Sequence, residues 1–163
     1  MTTTGSTGNG RQETRRRLRA AAYGVCVRDG QVLLARISPS DPAVPSRWTM
    51  PGGGLEHGED PVDAVVREVE EETGLRVRAE RLLGLDSYRI NPSALGDDFH
   101  GLGIVYEVRV TGGELRHEID GSTDLAAWVD LEKVPGLDRV GLVDVALELH
   151  RRTPPAGRVE RLP

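Results

Sequence analysis

Three glutamates on one predicted helix are the residues whose types and spacing could do chemistry in this chain. Glu68, Glu71 and Glu72 stand at positions i, i+3 and i+4, and at about 100° per residue such positions share one side of a helix. Carboxylates this close repel one another, and a hard divalent cation that takes oxygen ligands would offset the repulsion. A solvated acidic face is the commoner explanation of a charged run, so the glutamates alone leave both explanations open.

Signals at both ends predict the helix that carries these glutamates. Asp60 is a good N-cap residue, Pro61 suits the first helical position, and Asp63 places negative charge in the first turn. Gly74 is suited to end the helix. The apolar arc next to the glutamates predicts a ridge that faces the core, and it consists of Val62, Val65, Val66 and Val69.

The spacing of residues around this helix resembles the Nudix box. The matching positions are Gly53, Glu59, Arg67, Glu68, Val69, Glu71, Glu72, Gly74 and Leu75. At average residue frequencies, such a match arises by chance with a probability on the order of 10⁻⁷. Residues 20–36, 48–53 and 128–134 are also similar to the family, so the resemblance covers residues 19–150.

The resemblance implies a fold, a reaction and a cofactor. The fold would be a single-domain α/β structure, an α/β/α sandwich around a mixed β-sheet. The reaction would be attack of water on a diphosphate bond in a nucleoside diphosphate linked to another moiety, with release of a nucleoside monophosphate. The cofactor would be Mg²⁺, with Mn²⁺ as a substitute, and its implied ligands are Glu68, Glu71, Glu72 and the carbonyl of Gly52.

Catalytic roles are expected for Arg67, Glu59 and Glu71. Arg67 lies four residues before Glu71 and is expected to orient it through a charge-assisted hydrogen bond. Glu59 is expected to fix the loop to the helix through the amide donors of the helix N-terminus, and to assist metal binding indirectly. The identity of the general base stays open among Glu71, Glu118, Asp120 and Asp124.

The substrate is less well defined by the residues. His57 and His100 are candidates for contact with substrate, and Pro92 lies near the position of a proline that accompanies ADP-ribose hydrolysis in the family. The candidates for stacking on a nucleobase are Tyr23, Tyr88, Phe99 and Tyr106. Nucleoside triphosphates and their oxidised forms, ADP-ribose and nucleotide sugars all remain possible substrates.

Patterns elsewhere predict the elements that must position these residues. Apolar runs on either side of Asp29-Gly30 predict a hairpin within residues 20–37. Three prolines make residues 38–47 a loop. Further strands are predicted at 48–50, 80–90, 103–110 and 126–129, and a second helix at 139–151. Strands interleaved with two helices favour a mixed α/β domain.

Composition excludes several classes of protein. The chain has 163 residues and a net charge of −5, which argues against binding through many nucleic-acid phosphates. Its single cysteine, Cys26, cannot form an internal disulfide and fits a cytoplasmic location. No run resembles a signal peptide or a membrane span. We expect tails at residues 1–17 and 153–163 around a domain at 18–152, and a homodimer on general frequency alone.

Three other functions compete with the hydrolase. A non-catalytic Nudix-like sensor of nucleotide sugars would be expected to have a damaged box or an added DNA-binding domain, and neither is evident in the sequence. An isoprenoid diphosphate isomerase of the same fold depends on a catalytic cysteine, for which Cys26 is the candidate. A purely structural acidic helix that binds another protein predicts no dependence on metal.

Overall fold

Two sheets and two helices make up the protein in the computed structural model, which describes residues 14–39, 43–118 and 121–160. The strands are β1 (Arg16–Val25), β2 (Val27–Arg28), β3 (Gln31–Ile37), β4 (Trp48–Thr49), β5 (Gly52–Gly54), β6 (Leu75–Ile90), β7 (Asp98–Gly113) and β8 (Thr123–Asp130). The helices are α1 (Pro61–Thr73) and α2 (Gly141–Arg152). A mixed α/β fold is therefore confirmed.

The first sheet has the strand order β5-β1-β7-β6. It is mixed, because β1 pairs with β7 in parallel and the other two pairings are antiparallel. In the second sheet, β3 pairs with β2, β4 and β8, all antiparallel. The predicted hairpin is confirmed at β2 and β3, where Asp29 and Gly30 take positive φ values of 49° and 76°, as a tight hairpin turn requires.

Alternating residues of the strands feed two cores on opposite faces of the sheets. On β3, Leu33 packs in the core cluster that includes the buried residues of α1, and Leu34 packs in the cluster that includes those of α2. On β1, Ala22 faces α1 and Val25 faces α2. Since successive side chains of a strand point to opposite faces, one helix covers each face and the predicted sandwich is confirmed.

Helix α1 begins and ends at the predicted residues. The side chain of Asp60 accepts a hydrogen bond from the Val62 amide at 2.8 Å, a contact that stabilises a helix by about 1 kcal/mol. Gly74 takes φ of 71° and its amide donates to the Glu70 carbonyl at 2.8 Å. The α1 face expected to form a valine ridge buries Val65 and Val69, whereas Val62, in the first turn, is 41% exposed.

Some predicted boundaries were wrong. Strands β6 and β7 each contain 16 residues, because they pair with each other beyond the apolar runs that marked them. Strand β1 begins at Arg16 and so includes the last residues of the predicted N-terminal tail. The carbonyl of Gly157, in the predicted C-terminal tail, accepts a hydrogen bond from the Leu85 amide at 2.8 Å. In the described part of the chain, no helix is long and apolar enough to cross a membrane.

Candidate active site

The carboxylate of Glu72 is buried against the glycine loop that precedes α1. Only 2% of Glu72 is exposed. Its Oε2 accepts a hydrogen bond from the Gly52 amide at 2.9 Å, and Ser122 Oγ lies 3.4 Å from Oε1. Strand β5 and the segment before β8 therefore hold this carboxylate from two sides.

Burial and neighbouring negative charge both raise the pKa of Glu72. Loss of solvent, together with the carboxylates of Glu68 and Glu118, raises the pKa of Glu72 to about 8, although the Gly52 amide opposes the change. A buried carboxylate next to other carboxylates is stable in its ionised form when a cation joins them. The electrostatics of Glu72 therefore favour either a proton or a metal ion.

Glu68 packs against the backbone of the same loop. A Cβ atom on Gly53 would lie 2.6 Å from the carboxyl carbon of Glu68, closer than real Cβ contacts, so a side chain at position 53 would displace the Glu68 carboxylate. Burial raises the pKa of Glu68 above its ordinary value, against the effect of Arg67. The glycine thus allows Glu68 to approach the strand edge where Glu72 lies.

Arg67 lies among the acidic side chains and joins α1 to the loop. Its Nε and Nη2 donate to the two carboxylate oxygens of Glu59, each at 2.8 Å. Its Nη1 lies 2.9 Å from Glu68 Oε1 and 3.2 Å from Glu71 Oε2. Nη2 also donates to the Gly54 carbonyl at 3.3 Å. The expected contact between Arg67 and Glu71 is present, within a larger set of charge-assisted bonds.

Glu59 fixes the loop through partners other than those predicted. The expected amides of the helix N-terminus are not its partners, since Asp60 caps that end. Glu59 instead accepts from the Arg67 guanidinium and from the Glu56 amide, the latter at 2.8 Å. The guanidinium first and then this amide hold the pKa of Glu59 down to about 2. Glu59 therefore remains ionised and keeps Arg67 in place.

The candidates for a general base have different surroundings in the fold. Glu118 lies near the buried carboxylates, and its Oε2 accepts from the Thr123 amide at 3.0 Å and from Thr123 Oγ1 at 2.9 Å. Asp124 is held in a bidentate pair by Arg36, at 2.8 and 3.0 Å. The side chain of Glu71 is 52% exposed. Asp120 lies outside the described residues.

The oxygen donors at this site fit a hard divalent cation. Glu68, Glu71 and Glu72 offer carboxylate oxygens, which Mg²⁺ and Mn²⁺ prefer. In the parts of the chain that the structure describes, no three acidic, imidazole or thiol groups converge as a finished ligand shell. The carboxylates of Glu68 and Glu71 both pair with the guanidinium of Arg67 instead.

The aromatic and histidine candidates lie in different places. Tyr23, Tyr88 and Phe99 line one small cavity, whereas Tyr106 packs with the cluster under α1. The two histidines expected to contact substrate lie on different elements: His57 is exposed in the loop before α1, and His100 of β7 shares a hydrogen bond with Ser87 at 2.9 Å. Pro92 lies in the β6–β7 loop. Three of the four aromatic candidates are therefore brought together.

Sequence reasoning missed the burial of Glu72 and the contribution of Ser122. A signal for the first existed, because Glu72 falls only about 20° from Val65 around the helix, and Val65 is fully buried. For Ser122 no sequence signal was available, since its contact with Glu72 joins residues 50 positions apart.

Comparisons with known proteins agree with this architecture. The sequence model of the NUDIX domain family matches residues 15–147 of this chain. An ADP-ribose pyrophosphatase of Methanocaldococcus jannaschii is 35% identical over 118 residues, which are 72% of this chain and 64% of that protein. Human diphosphoinositol polyphosphate phosphohydrolase 3-alpha is 43% identical over 65 residues, or 40% of this chain and 37% of that protein. The chain thus spans less than two thirds of the length of either relative.

A solved structure has the same fold. A NUDIX hydrolase from Nitrosomonas europaea superimposes with a TM-score of 0.67 at 23% identity, covering 83% of this chain and 89% of that one. At 23% identity, this likeness shows that the two proteins share a fold.

Proposed function

This chain belongs to the NUDIX domain family, and from that premise we propose that it is a pyrophosphohydrolase that depends on a divalent metal. The substrate would be a nucleoside diphosphate linked to another moiety, and one product a nucleoside monophosphate. The observation that carries the proposal is the buried carboxylate of Glu72, held at 2.9 Å by the Gly52 amide and surrounded by further carboxylates.

Glu68, Glu71 and Glu72, with the carbonyl of Gly52, would hold Mg²⁺ or Mn²⁺. A metal bound there would polarise phosphoryl oxygens and make a bound water more acidic. The amide of Gly52 orients one oxygen of Glu72 and leaves the other near Ser122. The protein therefore fixes its most buried ligand before any substrate arrives, which lowers the cost of reorganisation.

Arg67 and Glu59 would act by positioning. The bidentate pair between them ties α1 to the loop that carries the glycines, and such outer contacts orient metal ligands. Release of Glu68 and Glu71 from Arg67 would make both available to the metal while Glu59 keeps the guanidinium neutralised. Arg67 would then limit the repulsion between carboxylates in the metal-free protein.

Glu118 is the general base that the geometry favours. Thr123 holds one of its carboxylate oxygens through two hydrogen bonds, which leaves the other oxygen for a proton from the attacking water. Its charge raises the pKa of both Glu68 and Glu72, so the three carboxylates lie close enough to interact. The two oxygens of Asp124, by contrast, accept hydrogen bonds from Arg36.

Replacing Glu118 with Gln should lower kcat on the order of 10²-fold, because a positioned base contributes 10²- to 10⁴-fold. The matched control is Asp124→Asn in the same segment, for which kcat should stay within a factor of about 2. Steady-state kinetics across pH would measure both variants. A normal kcat for Glu118→Gln would contradict this assignment and return the choice to Glu71.

The proposed function is tested by metal binding together with hydrolysis. Calorimetry should detect Mg²⁺ or Mn²⁺ uptake, and hydrolysis of at least one substrate should stop when EDTA is added. A suitable panel contains oxidised nucleoside triphosphates, ADP-ribose, dinucleoside polyphosphates, nucleotide sugars and a diphosphoinositol polyphosphate. A folded protein that bound nucleotide sugar but took up no metal and hydrolysed nothing would instead be a sensor.

A further inference from the structure

The side of the first sheet that carries α1 is only partly covered by that helix. Tyr106 and Val108 of β7 pack in the core cluster that includes the buried residues of α1, so the even-numbered side chains of β7 point to the α1 side. Leu102 and Ile104 point to the same side, yet among the described residues neither belongs to a core cluster. The α1 side of β7 is therefore uncovered at these two positions.

Apolar side chains of the neighbouring strands extend this uncovered area. Leu85 of β6 lies opposite Ile104 in the antiparallel register. Leu82 of β6 and Leu18 of β1 lie on the same side, because each is in register with a side chain of β7 that points there. The exposed fractions are 46% for Leu85, 57% for Leu82 and 66% for Leu18. Contiguous exposed apolar surface marks a site of interaction, and we call this area the open face, which consists of Leu18, Leu82, Leu85, Leu102 and Ile104.

The first turn of α1 borders the open face at the end where Tyr106 lies. Burial, and then the charge of Asp60, raise the pKa of Tyr106, so Asp60 and this side chain are close enough to interact. Asp60 at the N-cap and Asp63 in the first turn are exposed, and so is Val62 between them. The start of α1 therefore presents an apolar side chain flanked by two carboxylates.

The opposite end of the open face carries cationic side chains. Arg16 precedes Leu18 on the same side of β1, and Arg89 of β6 lies in register with His100. Arg89 pairs with Asp98, which lies in register with Arg16. Two guanidinium groups and one carboxylate give this end a net positive charge, whereas the end at α1 is negative.

The two charged ends of the open face suit a second copy of the chain. Six residues of β7 separate His100 from Tyr106, a length of about 20 Å at 3.3 Å per residue. A two-fold axis that lies in the interface and runs across the strands turns the second copy end for end. The first turn of each α1 then lies over the Leu18 end of the other copy, with Val62 near the leucine and the carboxylates near the arginines. Such an interface is isologous, because each copy contributes the same two ends.

Other occupants of the open face match it less well. Residues 1–13 precede the Leu18 end of the face in the chain, but their only apolar side chain is Met1. A segment with so little apolar surface gains little from contact with exposed leucines. The opposite charges at the two ends fit a partner that carries the same pair of ends, and a second copy is that partner.

We propose that two copies of this chain associate through their open faces, with the first turn of α1 in one copy against the Leu18 end of the other. The open face spans three strands, about 14 Å, by about 20 Å along the strands. This area is small for a specific interface, so the dimer should dissociate in the micromolar range. The inference concerns assembly and does not depend on hydrolysis.

Sedimentation velocity of the full chain, from about 1 μM to about 1 mM, tests this inference. The average mass should rise with concentration from 17.7 kDa towards twice that value. Leu85→Lys should weaken association on the order of 10-fold or more, because it places a charge within the apolar interface. Leu18→Lys should have the same effect and replaces Leu85→Lys if that variant does not fold. The matched control is Leu95→Lys, an exposed leucine in the β6–β7 loop, which should associate as the wild type does.

Reversal of charge tests the orientation of the two copies. Arg16→Glu and Asp63→Arg should each weaken association about 10-fold, because like charges would then meet across the interface. The double variant should recover most of this loss, since the reversed charges attract one another again. Association of the wild type should also weaken as the salt concentration rises.

A chain that keeps a mass of 17.7 kDa at the highest concentration would overturn the inference. In that case, nuclear Overhauser contacts between the Leu18 methyl groups and residues 1–13 would identify the chain's own N-terminal segment as the occupant. A dimer that persists unchanged in both lysine variants would place the interface elsewhere and equally overturn the inference. A double charge variant that associates no better than Arg16→Glu or Asp63→Arg alone would refute the end-for-end arrangement.

Discussion

Glu72→Gln is expected to lower kcat for hydrolysis with Mg²⁺ on the order of 10³-fold or more, while the protein stays folded. The amide of Gln retains an oxygen that accepts from Gly52, so the hydrogen bond at 2.9 Å has a replacement. What disappears is the negative charge that would hold the cation at the most buried position of the site. Steady-state kinetics and far-ultraviolet circular dichroism measure the two expectations.

The same substitution has a predictable effect on stability. The pKa of Glu72 is raised by burial from 4.5 to about 8, so the folded state loses stability as pH rises from 4.5 through 8 in the absence of metal. Gln cannot ionise, and Glu72→Gln should therefore raise Tm above pH 8 in EDTA and change it little below pH 4.5. Thermal unfolding across this range measures the difference.

Glu70→Gln is the matched control for both measurements, because Glu70 lies on the exposed side of α1. Its kcat and its Tm should follow those of the wild type at every pH. If Glu72→Gln kept its activity within about 10-fold of wild type, the assignment of Glu72 as a metal ligand would be wrong.

Arg67→Lys is expected to weaken the apparent affinity for Mg²⁺ by about 10- to 100-fold, the usual cost of losing an outer contact to a metal site. Lysine keeps the positive charge but has one nitrogen, whereas Arg67 bonds both oxygens of Glu59 through Nε and Nη2. The loop would then lose its fixed position relative to α1. Activity measured as a function of Mg²⁺ concentration checks this result.

Arg78→Lys is the corresponding control, since Arg78 pairs with Glu80 on the surface of β6 at 2.8 Å. Exposed pairs of this kind contribute little to stability, and the Mg²⁺ dependence should not change. An Arg67→Lys variant with wild-type metal dependence would show that charge alone is sufficient at position 67. If Arg67→Lys regained activity at high Mg²⁺, Arg67 would have a positioning role, because a variant that had lost its fold would stay inactive.

The parts of the site that sequence predicted are those with local causes. Asp60, Pro61 and Gly74 set the ends of α1 through contacts within a few residues of each end. The contact between Arg67 and Glu71 is likewise one helical turn long. Such interactions depend on residues that are neighbours in the chain, so their spacing carries the information.

The errors have a different origin. Asp60 took the helix amides that Glu59 was expected to bind, because two acidic residues compete for the same donors and the N-cap position is the closer one. Val62 was placed in the core by its angle around the helix, yet it belongs to the first turn and is exposed. In both cases the residue type suited the predicted role, an acidic partner for the helix amides or an apolar core residue. The position of the residue relative to the helix N-terminus prevented it from taking that role.

By itself, the sequence determined that one amphipathic helix with known ends presents three glutamates beside a glycine loop, since helical periodicity and capping are local. Only the tertiary structure decided that Glu72 is buried, that Glu118 joins it from a distant segment, and that Tyr88 lies over Gly101. These facts depend on strand register and on packing between residues far apart in the chain, and the energy of a buried charge depends on everything that surrounds it.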